Sequence, residues 1–193
     1  MSFDTLWAGW RSSYIATVSS DEDAILEPAE DLGIAEPGES GDPSCVFCRI
    51  LASKAPDRER HVVWKGKLSA AVLNAYPYTS GHLLLMPLRH VAELEDLEPE
   101  EAADLFALVR DGVGALKTAY APGGLNVGLN LGRAAGAGVP GHLHVHALPR
   151  WVGDTSFVTA VASLRVMPES LDETWDKLSG SWPEKPTAQV GTE

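Results

Sequence analysis

Apolar residues along the middle of the chain fall into two periodicities. Residues 61–64, 68–74, 81–88, 125–131 and 142–149 are short apolar or β-branched runs separated by turn-forming residues, the pattern of strands. Between the third and fourth run the spacing becomes helical. Ala102, Leu105, Phe106, Val109, Val113, Leu116 and Tyr120 predict one buried stripe. Pro99 suits the first turn of that helix, and Glu100, Glu101 and Asp104 complement the positive end of its dipole. A shorter helix around residues 170–178 would bury Leu171, Trp175 and Leu178. Strands, a long helix, further strands and a second helix predict an α+β domain on an antiparallel sheet.

The two ends differ from this core. Leu6, Trp7, Trp10, Tyr14 and Ile15 are too many large apolar groups for a free tail, so residues 1–18 are expected to dock. Residues 19–44 read as a solvated linker, acidic and studded with Pro28, Pro37 and Pro43. The expected division is an arm plus linker over 1–44, a domain over 45–179, and a flexible tail over 180–193 with Pro183 and Pro186.

Charge follows the same division. The net charge is −12, yet nine of the acids lie within residues 21–42, which contain no Lys or Arg. The remaining chain sets 18 acidic against all 15 basic residues, so the domain itself is nearly neutral. Without a basic run, a duplex nucleic-acid surface is excluded, whereas a small anionic ligand held by a few groups is allowed. No apolar stretch approaches the ~18 residues of a membrane span, and the first residues lack a secretion signature, which predicts a cytoplasmic protein with no membrane partner. In that setting the spacing of Cys45 and Cys48 reads as metal or redox chemistry before a disulfide.

Three of the six histidines stand at period two: His142, His144 and His146. On extended chain they share a face, about 6.5–7 Å apart, while Leu143, Val145 and Ala147 point into a core. Packing alone does not account for such a ladder, since each buried imidazole needs a polar partner. A metal site and phosphate chemistry both suit it. A neutral imidazole attacks phosphorus at neutral pH, and a neighbouring one can hold a phosphoryl oxygen. The preceding loop, residues 130–141, is rich in glycine (Gly132, Gly136, Gly138, Gly141) and can turn backbone N–H groups toward an anion.

These residues resemble the histidine triad (HIT) superfamily, whose signature is three histidines alternating with apolar residues and followed by two more. Residues 142–148 satisfy every position. Residues 45–51 resemble that family's opening helix, residues 72–90 its central hairpin, and 126–130 the strand before its loop; with the histidine segment they are spread in order over 45–151. Residues 6–15, 135–138 and 149–157 are similar to the bacterial diadenosine tetraphosphate phosphorylase branch. The resemblance implies a HIT-like fold, a five-stranded antiparallel meander with one long and one or two short helices. It also implies a homodimer or larger homo-oligomer and no organic cofactor.

Roles follow position by position from the resemblance. His144 would attack the α-phosphorus and form a nucleotidyl–imidazole, His146 would donate to a phosphate oxygen, and His82 and His142 would complete the catalytic set. Asn74 would meet the ribose hydroxyls, although relatives often carry an acid there, and Asn130 would lie near the phosphates. Phe47 and Ile50 would line the adenine pocket, and Gly136 and Gly138 the phosphate loop. Cys45, Cys48, His90 and His142 occupy the positions at which zinc-containing relatives hold a structural metal. Arg133 is an addition on chemical grounds, since it sits where a polyphosphate tail or inorganic phosphate would lie.

Ala137 and Gly138 depart from the Gln-Ser of many members, whose Gln assists the leaving group in hydrolases. Its loss leaves room for inorganic phosphate as second-step acceptor, so diadenosine tetraphosphate plus phosphate giving ATP plus ADP is the expected reaction. Hydrolysis of dinucleoside polyphosphates or adenosine phosphoramidates, or non-catalytic nucleotide sensing, are the alternatives. Hexose-phosphate uridylyltransferases carry Gln where His146 stands, and a DNA-repair branch would need a basic surface.

Overall fold

Alternation along the strands divides the apolar residues between two faces of one sheet. The computed structural model describes residues 41–154 and 168–189. In chain order these form α1 (Val46–Ala52), β1 (Val62–Lys65), β2 (Ser69–Leu73), β3 (Leu83–Pro87), α2 (Pro99–Tyr120), β4 (Gly124–Leu129), β5 (Val145–Arg150) and α3 (Leu171–Ser181). The expected docking arm, nearly all of the acidic linker, and residues 155–157 lie outside the described residues.

Every neighbouring pair of strands is antiparallel, in the order β1-β2-β3-β5-β4, which is the expected α+β architecture. The meander runs through β1, β2 and β3. After α2 the chain returns at the far edge as β4, and β5 turns back to pair with β3. Burial explains this order: β5 hides alternate side chains, whereas β4 is exposed along nearly its whole length and takes the edge.

On one face Leu73, Leu83, Leu85, Val145 and Ala147 meet Leu105, Leu108 and Leu116 of α2 and Leu178 of α3. Each fully buried leucine contributes roughly 1.5–3 kcal/mol. The bare backbone of Gly112 lets α2 approach β3, since a Cβ there would stand 3.2 Å from the Leu85 side chain. On the opposite face Val62, Ala70, Val72, Leu84 and Met86 meet Phe47, Cys48 and Leu51 of α1.

Helix α2 opens at Pro99, with the Glu101 carboxylate accepting the Glu98 N–H at 3.0 Å. Arg89 grips that carboxylate with two hydrogen bonds of 2.9 and 2.6 Å. The buried stripe is Leu105, Leu108, Val109, Gly112, Ala115 and Leu116. It is rotated from the expected one: Ala102 and Phe106 face outward, Phe106 at 69% exposure. The helix carries two apolar rows, and the sheet covers only one of them. Helix α3 starts on the Ser170 cap and buries Leu178, with Leu171 and Trp175 half-buried.

Residues 180–189, expected as the start of a flexible tail, dock instead. Trp182 stacks on Trp64 (6.0 Å, 15°). The N–H groups of Thr187 and Ala188 donate to the Asp111 carboxylate of α2 at 2.6 and 3.1 Å. A buried acceptor on α2, invisible to apolar periodicity, holds this segment.

Candidate active site

Only His146 belongs to the hydrogen-bonded part of β5; His144 lies in the segment leading into it, and His142 in the bend before that, where its N–H donates to the Val139 carbonyl at 3.3 Å. The strand thus starts at Val145 and not at 142, because the Leu143 N–H is taken by the Val91 carbonyl (2.7 Å) outside the ladder. The alternation survives that difference. Leu143, Val145 and Ala147 enter the core under α2, and the histidine rings project to the other side, where Phe47 of α1 lies edge-on to His142 (5.6 Å) and His144 (5.1 Å).

His144 is buried, and its Nδ1–H donates to the His142 carbonyl at 2.8 Å. A carbonyl only accepts, so the proton is fixed on Nδ1 and the lone pair on Nε2. Burial pushes the His144 pKa below its ordinary value, against the opposing pull of that carbonyl. The ring is held as a neutral base with its nucleophilic nitrogen defined.

His146 is set by a relay from the opposite strand. Gly81, in left-handed backbone (φ +77), turns the chain into β3 and delivers His82 beside the triad. The Tyr78 N–H donates to His82 Nδ1 at 3.1 Å, and the Asn74 amide N–H donates to the same atom at 3.2 Å. Asn74 is itself oriented, because its Oδ1 accepts the Tyr76 N–H at 2.9 Å. With donors on Nδ1, His82 carries its proton on Nε2, which points at His146 Nδ1 at 2.9 Å. His146 is therefore left with its proton on Nε2, the atom 3.3 Å from the Asn130 Nδ2; a proton there requires the Asn130 amide to be turned so that its oxygen accepts. Burial, with His144 adding to it, pushes the His146 pKa down to about 4, so the ring is a neutral donor at pH 7. The centroids of His144 and His146 lie 5.0 Å apart. A base and a donor side by side can attack a phosphorus and hold one of its oxygens.

Cys45, Cys48, His90 and His142 form a second cluster, with one ligand atom from each within 4.8 Å of the others. His142 turns Nδ1 toward both sulfurs (3.5 Å to each) and donates Nε2–H to the Pro87 carbonyl at 2.9 Å. His90 turns Nδ1 toward Cys48 Sγ (3.3 Å), and its Nε2 lies 3.6 Å from the Asp42 carboxylate. Both rings thus turn Nδ1 toward the thiols; for His142 a carbonyl receives the outer N–H, the arrangement that orients imidazole ligands on a metal, and for His90 a carboxylate lies near the outer nitrogen. Burial pushes the Cys45 thiol up to about 11 and His142 down to about 4. A divalent cation in the cluster would deprotonate the thiols and suit the neutral imidazoles. The donor set fits tetrahedral zinc with no open position.

The other expected residues divide. Phe47 is buried against the two imidazoles, and Ile50 is half-buried beside the same α1 core. Gly136 has its N–H engaged by the Arg133 carbonyl (2.9 Å), whereas Gly138 is exposed, with nothing within 4 Å of where a Cβ would stand. Arg133 is exposed in the short turn Arg133–Ala135. Sequence reasoning missed Asp42, hidden in the acidic linker, and Tyr78, whose backbone holds His82 and whose ring lies nearly parallel to His146 (6.1 Å, 17°). Only the nearness of Tyr78 to His82 in the chain could have signalled it. An open cleft of about 220 Å³ adjoins His146 on the β4 side.

The HIT domain family profile matches residues 55–152. The AP-4-A phosphorylase of Mycobacterium tuberculosis (strain ATCC 25618 / H37Rv) is 39% identical over 181 residues, 94% of this chain and 85% of that protein. The chain belongs to the HIT family. Another relative is the bis(5'-nucleosyl)-tetraphosphatase [asymmetrical] of Schizosaccharomyces pombe (strain 972 / ATCC 24843), 41% identical over 49% of this chain and 52% of that protein. A Zn-bound histidine triad family protein from Mycobacterium smegmatis superposes with a TM-score of 0.59 at 30% identity, over 73% of this chain and 94% of that one. Among the described residues, no helix is long and apolar enough to cross a membrane.

Proposed function

We propose that this HIT protein is an enzyme that phosphorolyses dinucleoside polyphosphates, converting diadenosine tetraphosphate and phosphate into ATP and ADP. One observation carries the reading: His144 presents an unprotonated Nε2 next to a His146 ring whose Nε2 bears a proton. His144 Nε2 attacks the α-phosphorus, the bond from that phosphorus to its bridging oxygen breaks, and ATP leaves with the oxygen. The resulting phosphorus–nitrogen bond is then broken by a phosphate oxygen, which gives ADP and returns the lone pair to Nε2. His146, positioned by His82, donates to a non-bridging oxygen in both steps. Asn130 sits beside that donor, Asn74 keeps a lone pair for a ribose hydroxyl, and Phe47 and Ile50 flank the nucleoside.

Phosphate as acceptor is supported by the 39%-identical AP-4-A phosphorylase and by Gly138, which leaves open space where many relatives have a side chain. Hydrolysis is the competing chemistry on the same intermediate, and the tetraphosphatase relative is the reason to test it. The protein is incubated with diadenosine tetraphosphate with and without phosphate, and the nucleotides are separated. ATP and ADP formed only with phosphate support the proposal. AMP and ATP formed without phosphate favour hydrolysis, and absence of a nucleotide adduct on His144 after an alkaline quench, in which a phosphorus–nitrogen bond to imidazole survives, refutes both.

Three further assignments belong to this reading. Zinc held by Cys45, Cys48, His90 and His142 ties α1 to the sheet as a structural ion. A second copy covers the edge of β4, which pairs on one side only and exposes Val127 and Leu129. The cytoplasm, where buried thiols stay reduced, suits the free Cys45 and Cys48.

A further inference from the structure

From the cleft on the β4 side of His146 we infer a binding site for the inorganic phosphate that accepts the nucleotide, in which the Asn126 amide selects phosphate over water. This rests on the reading of His144 as nucleophile and deepens it by placing the acceptor. Displacement at phosphorus is in line, so the bridging oxygen departs from the side opposite His144 Nε2. In the second step the phosphorus–nitrogen bond breaks, its electron pair returns to Nε2, and the entering phosphate oxygen comes from that same side. One site therefore holds the first phosphate group of the departing chain and afterwards the acceptor.

Two concave sites adjoin the histidines. The cavity behind His82 contains the Glu169 carboxylate, already paired with Lys177, and offers nothing to an anion. The cleft of about 220 Å³ has no carboxylate in its lining, which includes Asn126, Gly128, Asn130, His146 and Leu148. Arg133, the cation expected near the phosphates, is not among its lining residues. Strand register arranges the polar groups. Gly128 stands opposite His146 and Asn126 opposite Leu148, so Asn126, Gly128 and the imidazole share one face of the sheet. Gly128 puts no side chain between Asn126 and the triad, and nothing lies within 4 Å of where its Cβ would stand.

The direction of the Asn126 amide is set by a group that only donates. Arg150 gives an N–H to Asn126 Oδ1 at 2.8 Å, so the oxygen end is turned to the arginine and the N–H end is the one left to offer. The Asp154 carboxylate takes the rest of the Arg150 fork, at 2.6 and 2.8 Å, which balances its charge. The site thus presents a neutral donor. A bare cation would grip phosphate harder, yet it would also draw off the electron pair with which phosphate attacks and retain the ADP that forms. Water needs no such donor, whereas a phosphate with one oxygen at the reacting phosphorus has three others to be held.

The test uses the p-nitrophenyl ester of AMP, whose leaving group carries no phosphate chain, so that only the acceptor uses the cleft. Nitrophenolate release reports the adduct on His144, which then divides between phosphate, giving ADP, and water, giving AMP. Phosphate is kept low enough that the parent gives both products. Their ratio, ADP to AMP, should fall about tenfold in Asn126→Ala, and further in Asn126→Asp, which keeps an acceptor for Arg150 but loses the donor and adds a negative charge. A ratio within about twofold of the parent in Asn126→Ala overturns the inference, whatever Asn126→Asp does, since a fall with the carboxylate alone is charge repulsion. Equal slowing of both products at a constant ratio overturns it too, because that marks a residue that only supports His146. A parent adduct that yields AMP alone at every phosphate concentration removes the acceptor site. Absence of any nitrophenolate burst instead refutes the nucleophile on which the inference rests.

Discussion

His82 touches no reacting atom in this scheme, so its replacement tests whether the relay sets the catalytic proton. His82→Ala removes the N–H that His146 Nδ1 accepts at 2.9 Å and the acceptor that serves Tyr78 and Asn74. A neutral hydrogen bond contributes about 0.5–1.5 kcal/mol net, so the tautomer with its proton on Nε2 loses roughly a two- to thirteenfold preference. Loss of the donor altogether sets the upper bound, about 10²–10³ in kcat for one oxyanion-type contact. Between these limits we expect kcat to fall about 10- to 100-fold with KM within about threefold, because the lost contact matters most when charge builds on the phosphate oxygen. His82→Gln, which restores an N–H near the ring's outer nitrogen, should recover part of the loss. Product release is followed by nucleotide separation, and ¹⁵N shifts of His146 report the tautomer directly. A folded His82→Ala protein with kcat within about threefold of the parent, or with the His146 proton still on Nε2, would refute the relay.

Two further changes act away from the reacting atoms. Cys48→Ser removes a sulfur that lies 3.3 Å from His90 and 3.5 Å from His142. The purified, untagged parent should carry about one zinc per chain and the variant almost none; a metal-free parent disposes of the assignment. Asp111→Ala leaves the Thr187 and Ala188 N–H groups without their acceptor, so stability should fall by about 2 kcal/mol and Tm by about 4–8 °C in a melt followed by Trp fluorescence, and an unchanged Tm would show that the segment is held by its apolar contacts alone.

The legible features were those written in short-range periodicity. A period-two ladder puts its side chains on one face whether or not the backbone joins the sheet, which is why His142 and His144 sit as expected although β5 begins at Val145. The ends of α2 were legible because Pro99 and the first-turn acids act locally. Its buried side was not, since Leu105 and Phe106 are adjacent and equally apolar; only the sheet's position decides that Leu105 enters and Phe106 stays out. Long-range polar pairs leave no periodic trace at all. Asp111 reaches a segment 76 residues later in the chain, and Asp42 reaches His90 from inside a run of solvated acids.

In the proposed reaction three identical side chains would take three different tasks, set by what receives or gives a proton at each nitrogen. His142 donates from Nε2 to the Pro87 carbonyl, which leaves Nδ1 for a metal beside two thiols. His144 donates from Nδ1 to the His142 carbonyl, which leaves Nε2 for phosphorus. His146 accepts at Nδ1 from His82, which leaves a proton on Nε2 for a phosphate oxygen. The carbonyl that fixes the nucleophile belongs to the residue that joins the metal cluster, so the cluster and the nucleophile share one peptide unit. A structural ion that immobilises the His142 ring would therefore also immobilise the acceptor on which the tautomer of His144 depends.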